Sequence, residues 1–272
     1  MTTKHAFAIL SSAVLLVNVA SSRPFFAFDN GLNDVKGLEE KAALLAELGY
    51  DGIAWRPGQT AEMLAALDKH GLKMFSTYVT LQADMEKCPV PEPVVAEIKA
   101  LKGRQTAVWL NVAGKSTDEV VVPAIQQLCD LCAELDLKVV IYPHAGCHTD
   151  TVATALRLVK AAGRKNLGLT FNLCHFLKQD DEADLAPTIR AAAPHLWLVS
   201  VNGADGGDTK AMNWDRLIRP LGEGDFDVAK VLKLLDEVGY QGPVGLQCFA
   251  IKQPAREQLT KSMAAWKKIS QR

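Results

Sequence analysis

Neither sign of charge predominates in the 272 residues: 30 Lys and Arg stand against 31 Asp and Glu, a formal net charge of -1. Little is therefore available to neutralise a phosphate backbone or to hold a basic patch against a membrane. Nucleic acid is not an expected partner, and no stable membrane anchor is expected. Cysteine is sparse and scattered, with six in all. Only Cys129 and Cys132 fall in a C-x-x-C pair, in a stretch that reads as helix, and no second pair completes a zinc site. Buried, unpaired thiols are the expectation. No Cys precedes Cys88, so a lipid-anchored bacterial lipoprotein is not expected. No G-x-G-x-x-G follows a strand and no G-x-x-x-x-G-K-[ST] occurs, so dinucleotide and P-loop folds lack support.

Composition is otherwise ordinary, 49% hydrophobic and 22% charged, which excludes a disordered, collagen-like or disulfide-stapled chain. The one long uncharged run is at the start. Lys4 and His5 precede Ala6 to Ala20, and the small residues Ser21 and Ser22 follow before Arg23. The run is shorter than the roughly 20 residues of a spanning helix. Residues 1–22 read as a secretory signal peptide, which places the protein in the periplasm or outside the cell, with residues 23–272 as the mature domain. The alternative is a cytoplasmic protein with a buried N-terminal segment.

Beyond that leader no Gly/Ser linker or low-complexity segment breaks the chain. Short β-prone runs alternate with amphipathic stretches. The strands are expected at Phe25–Phe28, Gly52–Trp55, Lys73–Tyr78, Thr106–Asn111, Lys138–Tyr142, Leu167–Phe171, Leu196–Val201 and Pro243–Cys248. Helical segments between them include Leu38–Leu48, Ala61–His70, Val120–Leu135, Asp150–Ala162 and Val228–Val238. Three of these helices close on the same kind of phrase, at Gly49, Gly71 and Gly239, where a glycine is suited to a left-handed cap. Such alternation implies parallel strands with right-handed crossovers. Eight units in about 250 residues predict one α/β domain, a single (β/α)8 TIM barrel.

Active sites of such barrels lie at the C-terminal ends of the strands. Those ends are polar here: Asp29 and Asn30, Trp55 and Arg56, Tyr78, Asn111, Tyr142 and His144, Asn172 and His175, Ser200, Asn202 and Asp205, then Gln247. Hydrogen-bonding groups gathered at one rim suit a polyhydroxylated small molecule, and Trp55 and Tyr78 offer apolar faces to a sugar ring. Arg56 and Lys252, shortly after the last strand, are candidate electrophilic or phosphate-facing groups. A carbohydrate is the expected ligand, and the oligomeric state is left open.

At these residues the sequence resembles the xylose isomerase-like TIM-barrel family, which includes sugar phosphate isomerases and epimerases and an AP-endonuclease branch. The marks are Leu48-Gly49-Tyr50-Asp51-Gly52, Asn172-Leu173-Cys174-His175 and the Gly-rich turn Gly222-Glu223-Gly224-Asp225-Phe226-Asp227. The resemblance runs from Phe25 to Arg272. It implies a divalent metal held by Glu, Asp, His and Glu on the fifth to eighth strands. Tyr142 stands at the first Glu position, Asn172 at the Asp of a D-x-x-H motif, Ser200 or Asn202 at the His, and Gln247 at the last Glu. His175 keeps the motif's His. A metal ion, if bound, would fall to His144 and His175 with Asn172, Gln247 or Asp205, a set suited to Zn, Fe or Ni.

The chemistry implied by the resemblance is removal of a proton α to a sugar carbonyl, by an isomerase or epimerase. Neutral His144 is the candidate base and His175 the complementary acid. Trp55, Arg56, Tyr78, Asn111, Tyr142, Asn172, Asn202, Gln247 and Lys252 are the candidate substrate-binding groups. Export favours free sugars or glycosides over sugar phosphates. Two alternatives stand beside this one: a lyase or hydratase acting on 3-keto-glycosides, and a non-catalytic sugar-binding barrel that has lost the family's metal site. The nuclease branch needs a carboxylate- and His-rich zinc cluster that the sequence lacks.

Overall fold

The computed structural model describes residues 23–83 and 90–270. The leader read at 1–22, and Cys88, lie outside the described residues. Eight strands follow in chain order. They are β1 Phe25–Phe28, β2 Gly52–Trp55, β3 Lys73–Gln82, β4 Ala107–Ala113, β5 Val139–Ile141, β6 Leu167–Asn172, β7 Leu196–Val201 and β8 Val244–Leu246. Every neighbour pair is parallel, and β8 pairs with β1 to close the barrel. The helices are α1 Leu38–Leu48, α2 Thr60–Lys69, α3 Glu92–Lys99, α4 Asp118–Ala133 and α5 Val152–Ala162. They continue as α6 Leu173–Gln179, α7 Leu185–Ala192, α8 Trp214–Leu217, α9 Ala229–Glu237 and α10 Ala255–Ile269. The expected (β/α)8 barrel is the observed fold.

Local chemistry explains the turns. Gly49 caps α1 at φ 84°, and its backbone N–H reaches the carbonyls of Leu45 and Ala46. A side chain at that φ would be strained, so glycine lets the chain turn straight into β2.

Alternation along each strand separates two apolar compartments. One set of side chains packs outward against the helices, among them Ile53, Trp55, Leu110, Ile141, Phe171, Val199 and Leu246. The inward set is smaller and aromatic: Phe26, Phe28, Ala54, Trp109, Val140, Tyr142 and Leu198, with Phe75 and Tyr78 against them. Phe26 stacks on Phe75 (ring centroids 4.8 Å apart), Phe28 meets Trp109 edge-on (4.9 Å), and Trp109 meets Tyr142 (4.7 Å). Gly245 makes this filling possible. It lies opposite Phe26 in the sheet, and a Cβ there would fall 2.6 Å from Phe28 and 2.7 Å from Phe26. The lower barrel is thus plugged by rings, and only its upper end can be a cavity. That end carries the polar rim.

Candidate active site

A cavity of about 800 Å³ opens at the C-terminal ends of the strands. Its walls bring together Arg56, Tyr78, Asn111, Tyr142, His144, His175 and Gln247, all expected from the sequence. They are joined by Asp29, Asn30, Thr80, Trp214 and Phe249, among others.

His175 reaches the cavity because β6 runs directly into α6. Asn172 ends the strand and caps the helix, its Oδ1 accepting from the His175 backbone N–H (3.4 Å) and from the Cys174 thiol (3.0 Å). His175 therefore sits in the first turn of a helix, buried. The Ala145 backbone N–H donates to its Nδ1 (3.2 Å), so Nδ1 is the bare nitrogen and the ring proton is on Nε2. That Nε2–H donates to the Tyr142 hydroxyl oxygen (2.9 Å). Asn172 Nδ2 donates to the same oxygen (3.3 Å).

The neighbouring imidazole is wired the other way. His144 Nδ1 lies 3.1 Å from the Ala145 carbonyl, which can only accept, and 3.4 Å from the Cys147 sulfur, which can accept as well as donate, so a proton on Nδ1 serves both. The Nε2 of His144 bears a lone pair that no group among the described residues engages. The rings of His144 and His175 are 4.1 Å apart. Two imidazolium ions could not share this space. Burial lowers the pKa of His144 and, with His144 alongside, drives that of His175 well below the ordinary value. Both are neutral near pH 7. Burial also raises the Tyr142 phenol well above its usual value, so it keeps its proton.

This wiring has a stability consequence. A histidine held neutral in the fold but able to protonate when unfolded takes up protons on unfolding below about pH 6.5. Stability should therefore fall as pH drops from 7 towards 5. His175→Gln removes that linkage. Thermal melts across this range should show a shallower loss for the variant than for the parent; parallel curves would count against a buried neutral His175.

Five of the expected site residues, Trp55, Asn172, Asn202, Asp205 and Lys252, do not line the cavity. Trp55 follows the inward Ala54 and so points behind β2, where its Nε1–H donates to the Gly58 carbonyl (2.9 Å) and Lys41 covers its ring. Asn202 is fully buried and folds back, its Nδ2 donating to the carbonyls of Gly203 (2.8 Å) and Leu217 (2.6 Å). Asp205 is committed to Arg216 and Arg219. Lys252 is exposed and not part of the wall. Asn172 supports the site from beneath, through Tyr142 and the helix cap. Arg56 is on the wall, but it pairs with the buried Asp29, so its charge is offset.

The metal-binding set named from the sequence does not fit a divalent ion. Both nitrogens of His175 are engaged. Gln247 Oε1 accepts from Asn30 Nδ2 (2.8 Å) and from the backbone N–H groups of Cys248 (2.9 Å) and Phe249 (3.0 Å). Its oxygen is thus taken, which leaves the amide NH₂ as the group it can offer to Tyr142. Asn172 spends its oxygen on the helix cap, and Asp205 lies elsewhere. Among the described residues no cluster of three or more His, Cys, Asp or Glu could hold a metal. His144 Nε2 alone is left, and one ligand is too few.

Sequence reasoning missed Asn33, Thr80, Trp214, Ile218 and Phe249 as wall residues. Thr80 was legible in principle, because β3 continues past Tyr78 with Thr80 opposite Asn111 of β4. Trp214 comes from the short α8 in the loop after β7 and meets His175 edge-on at 5.1 Å. Nothing in its neighbours announces that position.

Comparison with known proteins agrees with the architecture. The family described as Xylose isomerase-like TIM barrel matches residues 42–269. An inosose isomerase of Halalkalibacterium halodurans is 23% identical over 162 residues, 59% of this chain and 52% of that protein. The chain thus matches about half the length of this relative. Among solved structures, the IOLI protein with a bound zinc atom superposes with a TM-score of 0.74 at 16% identity, covering 91% of this chain and 98% of that one. The apo 3-keto-D-glucoside 4-epimerase YcjR of E. coli gives 0.70 at 16% identity, covering 90% and 99%. At such identities the superpositions show the fold alone. The matched span, most of the barrel, settles the lineage: the chain belongs to the xylose isomerase-like TIM-barrel family.

Proposed function

We propose that this protein is a carbohydrate-active enzyme that takes a proton from the carbon α to a sugar carbonyl. The observation that carries the reading is one juxtaposition. An imidazole with an open Nε2 lone pair shares a cavity with a phenol whose oxygen already accepts two N–H donors. The Tyr142 O–H has no remaining lone-pair duty in the protein and is disposed to donate to a bound oxygen.

The chemistry then balances without further groups. The C–H bond breaks and its proton passes to His144 Nε2, while the electron pair forms C=C and the carbonyl π pair moves to oxygen. The resulting enolate oxygen accepts from Tyr142 O–H, aided by the Gln247 amide. His144 is then an imidazolium with a lowered pKa, ready to return its proton. Return to the same face of the same carbon exchanges its hydrogen. Transfer along that face to the neighbouring carbon, with the adjacent hydroxyl proton passing to the enolate oxygen, gives an aldose–ketose isomer. An epimer forms only if the enolate takes its proton from the opposite face, from water or after the ring turns over. In a 3-keto-glycoside the enolate can instead re-form C=O and expel the β-oxygen, which takes the proton held on His144, giving elimination. His175, neutral and with both nitrogens engaged, is a positioning residue for Tyr142 rather than the acid expected from sequence.

Incubation in D₂O with panels of aldoses, ketoses and 3-keto-glucosides should introduce deuterium at an α-carbon, read by proton NMR. Folded protein that exchanges no proton in either panel would sink the catalytic reading and leave a sugar-binding barrel.

A further inference from the structure

Part of the cavity wall is not explained by proton abstraction. Phe249 is 55% exposed and is the exposed large hydrophobic residue among those described. It follows β8 by three residues and lines the same cavity as His144 and Tyr142. It is not a loose loop residue: its backbone N–H is tied to Gln247 Oε1 at 3.0 Å. The next residue, Ala250, is held in the left-handed region (φ 60°), a conformation that an L side chain adopts only when its surroundings impose it. A phenyl ring thus stands in water at the mouth of a polar cup, on a backbone tied at Phe249 and left-handed at Ala250. Trp214 and Ile218, brought in by α8 and its end, add further apolar wall. The 800 Å³ volume lies towards the upper part of the range usual for small-molecule sites.

Charge points the same way. Asp29 and Arg56 are the only formally charged residues on the wall among those described, and they pair with each other. No uncompensated cation waits there for a phosphate.

We propose that Phe249 and Trp214 form an aglycone subsite, and that the substrate is an uncharged glycoside rather than a free or phosphorylated monosaccharide. The sugar ring carrying the carbonyl lies against Tyr142 and His144, and the ring attached to it lies on the apolar mouth. Aromatic faces suit such a ring, whether sugar or aryl. The assignment rests on the sugar-directed reading above and narrows its substrate class.

Calorimetric titration and saturation-transfer NMR can test it with glucose, galactose and mannose, their 4-nitrophenyl glycosides, and glucose 6-phosphate. The matching aryl glycoside should bind roughly tenfold more tightly than its parent sugar. Phe249→Ala should collapse that ratio towards one, and Phe249→Trp should restore it; circular dichroism and melting temperature check that both fold. Equal affinity for sugar and glycoside, a ratio that survives Phe249→Ala, or tighter binding of glucose 6-phosphate would each overturn the subsite. So would a lack of binding across the whole panel. Selective glycoside binding without proton exchange, by contrast, would uphold the subsite while removing the catalytic reading.

Discussion

Replacing His144 by Gln is expected to cut α-proton exchange by about 10²–10⁴-fold, the usual contribution of a positioned base. Sugar affinity should change far less, because the amide keeps a polar group on the wall. The expectation follows from the tautomers. His144 has Nδ1–H turned to the Ala145 carbonyl and an open Nε2, whereas His175 has neither nitrogen to spare. His175→Gln should therefore act mainly through Tyr142 and give a smaller loss. Similar losses for the two variants would remove the distinction between base and positioning residue.

The pH profile offers an independent check. The proposed base must be neutral His144, and burial lowers its pKa below the ordinary histidine value of about 6.5. The acid limb of kcat/KM should accordingly lie below pH 6.5. On the alkaline side the Tyr142 phenol holds its proton past its usual range, so no loss from that group is expected near pH 9.

The strands were legible because a barrel buries both faces of each one, leaving short apolar runs between glycine-capped helices. The expected β1, β2 and β7 coincide with the observed spans. The end of β3 was hidden, since Thr80 and Gln82 look like loop although both remain in register with β4. Rim residues were found by counting to strand ends, and on β2 that count is off by one. Trp55 ends β2, yet alternation puts Ala54 inside and Trp55 behind it. Asn202 fails differently: its strand position is right, but the loop that follows recruits its amide to bind two carbonyls. Most hidden of all were the tautomers of the two histidines. They depend on which backbone group, an N–H or a C=O of the same Ala145, meets each ring.

Tyr142→Phe should lower the exchange rate by about 10²–10³-fold, the loss seen when one donor to a developing oxyanion is removed. This residue stands where the family resemblance implies a metal-binding Glu, and the substitution changes what the site can offer. A carboxylate there would attract a cation. A buried phenol, ringed by the His175 and Asn172 donors and beside the Gln247 amide, offers a proton instead. Glu, Asp and Glu becoming Tyr, Asn and Gln thus removes three negative charges and turns N–H and O–H groups towards one point. That arrangement suits an enolate oxygen, which needs donors, and is poorly suited to a divalent ion, which needs acceptors. The variant leaves the Nε2–H of His175 and the Nδ2 of Asn172 without their acceptor, which costs about 1–3 kcal/mol of stability for a buried group. A purely structural role would produce that drop in melting temperature with kcat intact. A catalytic donor lowers kcat at saturating sugar in protein that remains folded, and this split in the kinetics is the decisive measurement.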